Sequence, residues 1–187
     1  MEVGKECIEG CFRGENASQR ELYDLLFPYL NTLCGRYLDN TSHRQDVLQE
    51  AFILIFKKIN QFDASKGAFH SWASRIVINL SLKQNKSGKR FYHLQVEKVE
   101  ETIAVDPEVI GQMSNEELIR FLRTMPAKYY EVFILFVVDG YAHEEIGEIL
   151  GIKVSLSRKR LARGRAWLQS KPKSLNLFLG DYRYSIR

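Results

Sequence analysis

The chain is predicted to be all-α, with two small helical domains joined by a flexible acidic linker. Three observations lead there. Ser-led capping boxes, with Glu or Gln three residues on, occur at Ser18–Glu21, Ser42–Gln45 and Ser114–Glu117. Each precedes apolar residues spaced by three and four, the repeat of one buried helical face. Between the second and third boxes the composition turns acidic, at Glu97, Glu100, Glu101, Asp106 and Glu108, with basic segments on both sides. The expected domains are residues 15–90 and 114–172, with a linker at 91–113 and a tail at 173–187.

At 187 residues and 45% hydrophobic content, the chain can build one domain or two small cores. A net charge of +4 excludes a uniformly basic coat, so local charge blocks carry the argument. The polar start MEVGKECIEGCFRGEN is not a signal peptide, and no apolar run is long enough to span a membrane. A cytoplasmic protein is expected. Cys7, Cys11 and Cys34 are an odd number, so a disulfide framework is not expected. Cys7 and Cys11, four apart, share a helix face. The four histidines are scattered, so no metal site is expected.

In chain order, the first box starts a helix with a stripe of Leu22, Leu25, Leu26, Tyr29, Leu30, Leu33 and Tyr37, which Pro28 is expected to kink or break. Asp39, Asn40 and Thr41 form a turn. The second box starts a long helix carrying Val47, Leu48, Ala51, Phe52, Leu54, Ile55 and Ile59. Asp46, Gln49 and Glu50 lie together on its polar face. Residues Asn60 to Phe69 (NQFDASKGAF) are loop-forming. A third helix follows, with Phe69, Trp72, Ile76 and Leu80 on its apolar side. Aromatics at this spacing are ordinarily core, and that is the first reading of Phe69 and Trp72. Arg75, Asn79 and Lys83 form a polar line beside them. Aromatic faces next to cations also suit single-stranded nucleic acid. A basic segment from Lys83 to Arg90 closes this domain.

The third box starts a helix with Leu118, Ile119 and Leu122, ended by Met125-Pro126. Pro126 suits the first turn of the next helix, an apolar one running through Val138. Asp139-Gly140 ends it. From Gly140 to Leu168 the chain reads as a short helix, a turn at Gly151 and a basic second helix, the helix-turn-helix pattern. That second helix carries Arg158, Lys159, Arg160, Arg163 and Arg165, with no acidic residue between Lys153 and Leu168. Such a helix enters the DNA major groove. After it, Lys171-Pro172 closes the domain, and the tail LNLFLGDYRYSIR reads as either strand or helix. The chain has no glycine-rich phosphate loop, internal repeat, or nucleophile or carboxylate set at a catalytic spacing.

Together these pieces resemble the sigma-70 family, specifically the small two-domain extracytoplasmic-function (ECF) sigma factors of bacteria. DVLQEAF (Asp46 to Phe52) is similar to the segment that binds the polymerase clamp. FDASKGAFHSWASRIVINLSLK is similar to the region that melts and reads the −10 element. LRTMPAKYYEVFILFVVDGYAHEEIGEILGIKVSLSRKRLARGRAWL is similar to the domain that reads the −35 element. The resemblance implies a non-enzymatic protein with no cofactor and no small-molecule substrate. Its partners would be core RNA polymerase, promoter DNA in double- and single-stranded form, and an anti-sigma factor.

Residue by residue, the resemblance implies polymerase contacts at Asp46, Gln49 and Glu50. The loop Gln61 to Ala68, with Phe62, Ser65 and Lys66, would hold a flipped −10 base. Trp72, Arg75, Asn79 and Lys83 would lie along that single strand. Arg158, Lys159, Ala162 and Arg163 would face the major groove at −35, and Arg160 and Arg165 the phosphates. Three positions depart from the family pattern. Leu156 and Ser157 stand where Thr and Val are usual, which implies weaker docking of the second helix. Ala142 replaces a capping Ser, and Lys153 a small polar cap. Two other functions fit parts of the pattern: a stand-alone helix-turn-helix regulator that needs no polymerase, and an enzyme acting on DNA.

Overall fold

A computed structural model describes residues 3–92 and 114–171. The chain divides into two compact units, Met1–Val99 and Glu100–Arg187. Every regular element among the described residues is helical. The acidic segment from Glu97 to Glu108 and the tail from Pro172 onward lie outside the described residues.

The first unit is built from α1 (Lys5–Phe12), α2 (Asn16–Tyr37), α3 (Thr41–Lys58) and α4 (Phe69–Tyr92). Helices α2, α3 and α4 pack on one another, and α1 packs on α2. Their stripes meet in one core of Leu22, Leu26, Leu30 and Leu33, Val47, Leu48, Ala51 and Ile55, and Ala73, Val77 and Ile78. Fully burying a residue of this size contributes about 1.5–3 kcal/mol. Cys34 touches α4 in this core, its thiol 3.5 Å from the Ser81 hydroxyl. Helix α1 was not singled out as an element from sequence. Its buried side is Cys7, Gly10 and Cys11, and a Cβ on Gly10 would overlap the Ser18 hydroxyl of α2. Cys7 and Cys11 do share a face, and burial pushes the Cys11 thiol up to about 11.

Several boundaries differ from expectation. Helix α2 begins at Asn16, with Glu15 rather than Ser18 at its N-cap. The Glu15 carboxylate accepts from Arg13 Nε at 2.6 Å and from the Ser18 hydroxyl at 3.1 Å. Those two bonds, Arg13's first, hold it below the usual carboxylate range. Ser18 is thus a donor to the cap, not the cap. Helix α3 is capped by Asn40, which accepts from the His43 N–H at 3.1 Å, so Ser42 lies inside the first turn. Nor does Pro28 break α2. Pro28 and Asp24 both lie on its exposed side, where water can satisfy the carbonyl that proline leaves without a donor. The leucines before and after Pro28 share one buried stripe, and the helix continues through it. Helix α4 also runs through Ser87-Gly88 to Tyr92.

The second unit comprises α5 (Asn115–Leu122), α6 (Ala127–Phe133), α7 (His143–Leu150) and α8 (Val154–Gln169). Ser114 forms the expected capping box: its hydroxyl accepts from the Glu117 N–H, and Glu117 accepts from the Ser114 N–H at 2.7 Å. Pro126 is the N-cap of α6, one position before the first turn. The apolar helix expected through Val138 changes character at Ile134. Residues Ile134–Val138 form a single π-helical turn, with the Asp139 N–H bonded to the Ile134 carbonyl at 2.9 Å. Gly140, at φ 75°, then releases the chain toward α7.

Gly151 ends α7 in the left-handed conformation, φ 66° and ψ 40°, as the turn requires. Gly147 sets the width of that turn. A Cβ there would stand 2.9 Å from the Ile152 carbonyl oxygen, a backbone atom. Gly147→Ala is therefore expected to destabilise the second unit by roughly 1–3 kcal/mol. Urea unfolding of the full chain, followed by circular dichroism, checks this; an unchanged midpoint would show that the turn can yield.

Candidate nucleic-acid and polymerase interface

Three surfaces carry the residues singled out from sequence. The first lies on α3. Asp46, Gln49 and Glu50 are all exposed on one face, with Val47 and Leu48 buried on the other. Ile53 extends the same line, three residues past Glu50 and four past Gln49. It is 59% exposed, the highest value among the large apolar side chains described. Sequence reading passed over Ile53, because it sits between stripe residues and differs from them only by helical phase.

The second surface lies where the loop after α3 meets α4. Asp63 organises the loop. Its carboxylate accepts from the Ser65 N–H at 3.0 Å and the Ser65 hydroxyl at 2.6 Å, and pairs with Lys66 Nζ at 3.2 Å. The Ser65 hydroxyl first, then its N–H, holds Asp63 below the usual carboxylate range. Gly67 closes the loop at φ 144° and ψ −179°, a conformation only glycine adopts readily. Ser65 and Lys66 are exposed but engaged with Asp63, which sequence reading did not single out. The Asp-x-Ser-Lys spacing was its available signal.

Beside the loop stand three rings. Phe62 and Phe69 meet edge to face with centroids 4.9 Å apart. Trp72 lies 5.9 Å from Phe62 and 5.3 Å from Phe69. Phe69 is core, as expected, at 4% exposure. Trp72 is only half-buried, so the core reading holds for one of the two. Arg75, Asn79 and Lys83 are exposed along α4 at successive four-residue steps. The structure thus places a half-open aromatic cluster, Phe62 from the loop and Phe69 and Trp72 from α4, at the start of the helix that carries the polar strip.

The third surface is α8. Ser157, Leu161, Gly164 and Leu168 form its buried line. Gly164 lets α8 approach α6: a Cβ there would meet Met125 Sδ at 3.3 Å and Tyr129 Cβ at 3.6 Å. Arg158, Lys159, Ala162, Arg163 and Arg165 are exposed, and Arg160 is half-buried. Arg158 pairs with Glu144 of α7 at 3.4 Å. An exposed pair of this kind is worth about 0–1 kcal/mol, so a competing anion can displace it. The Arg163 guanidinium beside Tyr129 of α6 lowers its phenol from the ordinary value. Arg165 lies over the Phe136 ring, 6.0 Å from its centroid.

At Ser157 the second helix docks through a polar contact. Ser157 is fully buried, and its hydroxyl lies 2.8 Å from His143 Nδ1, at the first residue of α7. The His143 ring stacks on Phe136, centroids 4.5 Å apart at 22°. A polar bond replaces the methyl packing that Val would provide there. Periodicity could not reveal this pair, since its partners are fourteen residues apart on different helices. The Ala142 departure is half compensated. Ala142 has no side-chain acceptor, yet the Glu145 carboxylate still accepts its N–H at 2.9 Å.

Burial, then the Arg158 charge, holds His143 below its ordinary value of 6.5. The unfolded chain therefore takes up the proton first. Stability from this group is present above about pH 6.5 and falls as pH drops through that value toward the lower folded one. His143→Gln is expected to flatten this acid-side slope in urea unfolding measured from pH 5 to pH 7.5. A slope identical to that of the unchanged chain would rule out His143 as its source.

Among the described residues, no group of three His, Cys, Asp or Glu side chains could hold a metal ion, and no helix is long and apolar enough to cross a membrane. Comparison with known proteins matches these surfaces to families. A family model described as Sigma-70 region 2 matches residues 22–91, and one described as Sigma-70, region 4 matches residues 115–168. The ECF RNA polymerase sigma factor SigW of Bacillus subtilis is 29% identical over 184 residues, covering 91% of this chain and 97% of that protein. The ECF RNA polymerase sigma factor SigE of Mycolicibacterium smegmatis is 30% identical over 142 residues, covering 73% of this chain and 54% of that protein. In fold, the chain is similar to the sigma factor RpoE of Bartonella quintana, solved with the anti-sigma factor NepR. That likeness has a TM-score of 0.56 at 19% identity, covering 86% of this chain and 96% of the other.

Proposed function

Since this chain belongs to the sigma-70 family, as an RNA polymerase sigma factor of the ECF type, we propose that its two units divide promoter recognition between them. The first docks on core polymerase and captures the opened −10 strand; the second reads the −35 duplex. One observation carries the reading over a stand-alone regulator: region 2 and region 4 occur in order in one chain. A regulator needs the helix-turn-helix but has no use for a polymerase-docking and strand-capturing unit. The family acts without catalysing a reaction.

In this reading Asp46, Gln49 and Glu50 meet the polymerase clamp. Their exposure on one face of α3, backed by a rigid core, supports that role. The loop Gln61 to Ala68 receives an unstacked −10 base, with Phe62 and Trp72 as its apolar wall. Lys66 keeps N–H donors and Ser65 an acceptor oxygen, in a loop already ordered by Asp63. Arg75, Asn79 and Lys83 track the same strand. Unstacking a base costs a few kcal/mol, which stacking and hydrogen bonding in a pocket offset. Binding energy is thereby converted into melting.

On α8, Lys159, Ala162 and Arg163 face base edges. Arg158 joins them once Glu144 is displaced. Arg160 and Arg165 position the helix on phosphates, which carry no sequence information. Arg163, exposed on α8, can place its guanidinium against guanine O6 and N7 together. Region boundaries near residues 15–90 and 114–172, with a linker between, follow from this division. The cytoplasm, where polymerase works, is the compartment we assign. An anti-sigma factor covering one or both units is the expected regulator, since the similar RpoE was solved in such a complex.

The test is a pull-down with bacterial core RNA polymerase followed by run-off transcription on a pool of genomic fragments. Core binding with discrete start sites is expected. Tight duplex binding with no core binding would transfer the assignment to the stand-alone regulator. Asp46→Ala combined with Glu50→Ala should weaken core binding by tenfold or more, on the order of 1.4 kcal/mol. Its melting curve should not change; unaltered core affinity would return this face to plain solvated surface. Arg163→Ala should relax preference at one upstream position, by about 1–3 kcal/mol of discrimination. A uniform loss over all sequences would make Arg163 a phosphate contact instead.

A further inference from the structure

Among the described residues of the second unit, Leu156 is the one exposed large apolar side chain, at 39%. It lies in the first turn of α8, its N–H bonded to the Lys153 carbonyl at 2.9 Å. The buried line of α8 runs through Ser157, Leu161, Gly164 and Leu168, and Leu156 is not on it. Its helical neighbours at three, four and seven residues are Lys159, Arg160 and Arg163. An isobutyl group therefore stands within a ring of cations, on a helix that carries no acidic side chain.

That surroundings narrow the occupant. A basic surface would be repelled, and the occupant must pair negative charge with an apolar group for the leucine. The DNA major groove offers both things, because phosphates line its edges and each thymine projects a 5-methyl group among the base-edge donors and acceptors. The first residues of such a helix are those that reach base edges. We propose that Leu156 packs against a thymine 5-methyl group in the upstream promoter element and makes thymine preferred at one position. This rests on the −35 reading of α8. Leucine neither donates nor accepts a hydrogen bond, so its preference depends on the methyl group alone and not on the rest of the base edge.

That property gives the test. The full chain is assembled with core RNA polymerase and used to select from two duplex pools. Both pools carry the same randomised upstream segment in a constant flank, one built with thymidine and the other with deoxyuridine there. The pools differ only by the 5-methyl group. The unchanged chain should enrich thymidine at one position and favour it over deoxyuridine by about fourfold, the affinity change for burying one methyl-sized group. Leu156→Ala should bind both pools alike while keeping its arginine-dependent positions; Leu156 is exposed, so its melting temperature should hold. Equal enrichment of both pools by the unchanged chain would overturn the proposal. So would a thymidine preference that survives in Leu156→Ala. If the holoenzyme forms but enriches no upstream sequence in either pool, the −35 reading itself falls and this contact with it.

Discussion

Each helix here is stable only through the stripe it buries against its neighbours. Helices of eight residues or fewer, such as α5, α6 and α7, are far below the length at which an isolated helix persists in water. They exist because Leu118 and Leu122, Tyr130, Val132 and Phe133, and Ile146 and Leu150 are buried together with Leu161 and Leu168 of α8. The same requirement explains the tolerance of α2 for Pro28. Burial on one side outweighs one missing hydrogen bond on the wet side. It also decides what is left for function, because whatever the stripe does not use must face water.

In the helix-turn-helix, three glycines and one polar pair set the geometry of the reading helix. Gly151 supplies the left-handed residue, Gly147 admits the Ile152 carbonyl, and Gly164 admits Met125 and Tyr129. The fourth restraint, between Ser157 and His143, is a hydrogen bond where apolar packing is usual. It ties the first residue of α7 to the buried face of α8. The presentation of Arg158, Lys159 and Arg163 on α8 thus depends on residues buried behind them. It also leaves α8 with a titratable tether in place of an inert one.

The first unit solves a different problem. Its loop between α3 and α4 is ordered without being buried. Asp63 does this with bonds inside the loop, to Ser65 and Lys66, so order does not require burying the loop under other elements. Phe69 anchors the aromatic cluster in the core, which leaves Phe62 and Trp72 partly open. Arg75, Asn79 and Lys83 then continue along α4 as one line.

The sequence by itself determined the helical class, the two-unit order, the Ser114 cap, the Gly151 turn and the faces of α3, α4 and α8. These follow from local chemistry: capping, left-handed glycine and a three-and-four repeat all act within a few residues. It misjudged the starts of α2 and α3: Ser18 and Ser42 match the pattern, but the helices begin earlier, α2 after Glu15 without a side-chain cap and α3 under the Asn40 cap. Of the kink or break expected at Pro28, the break does not occur. Tertiary structure alone decided that Trp72 stays half-open while Phe69 is core, that Ile53 and Leu156 face outward, and that Ser157 meets His143. Each depends on which neighbouring helix arrives at a given side chain, and a repeat along one helix holds no record of the neighbour's position.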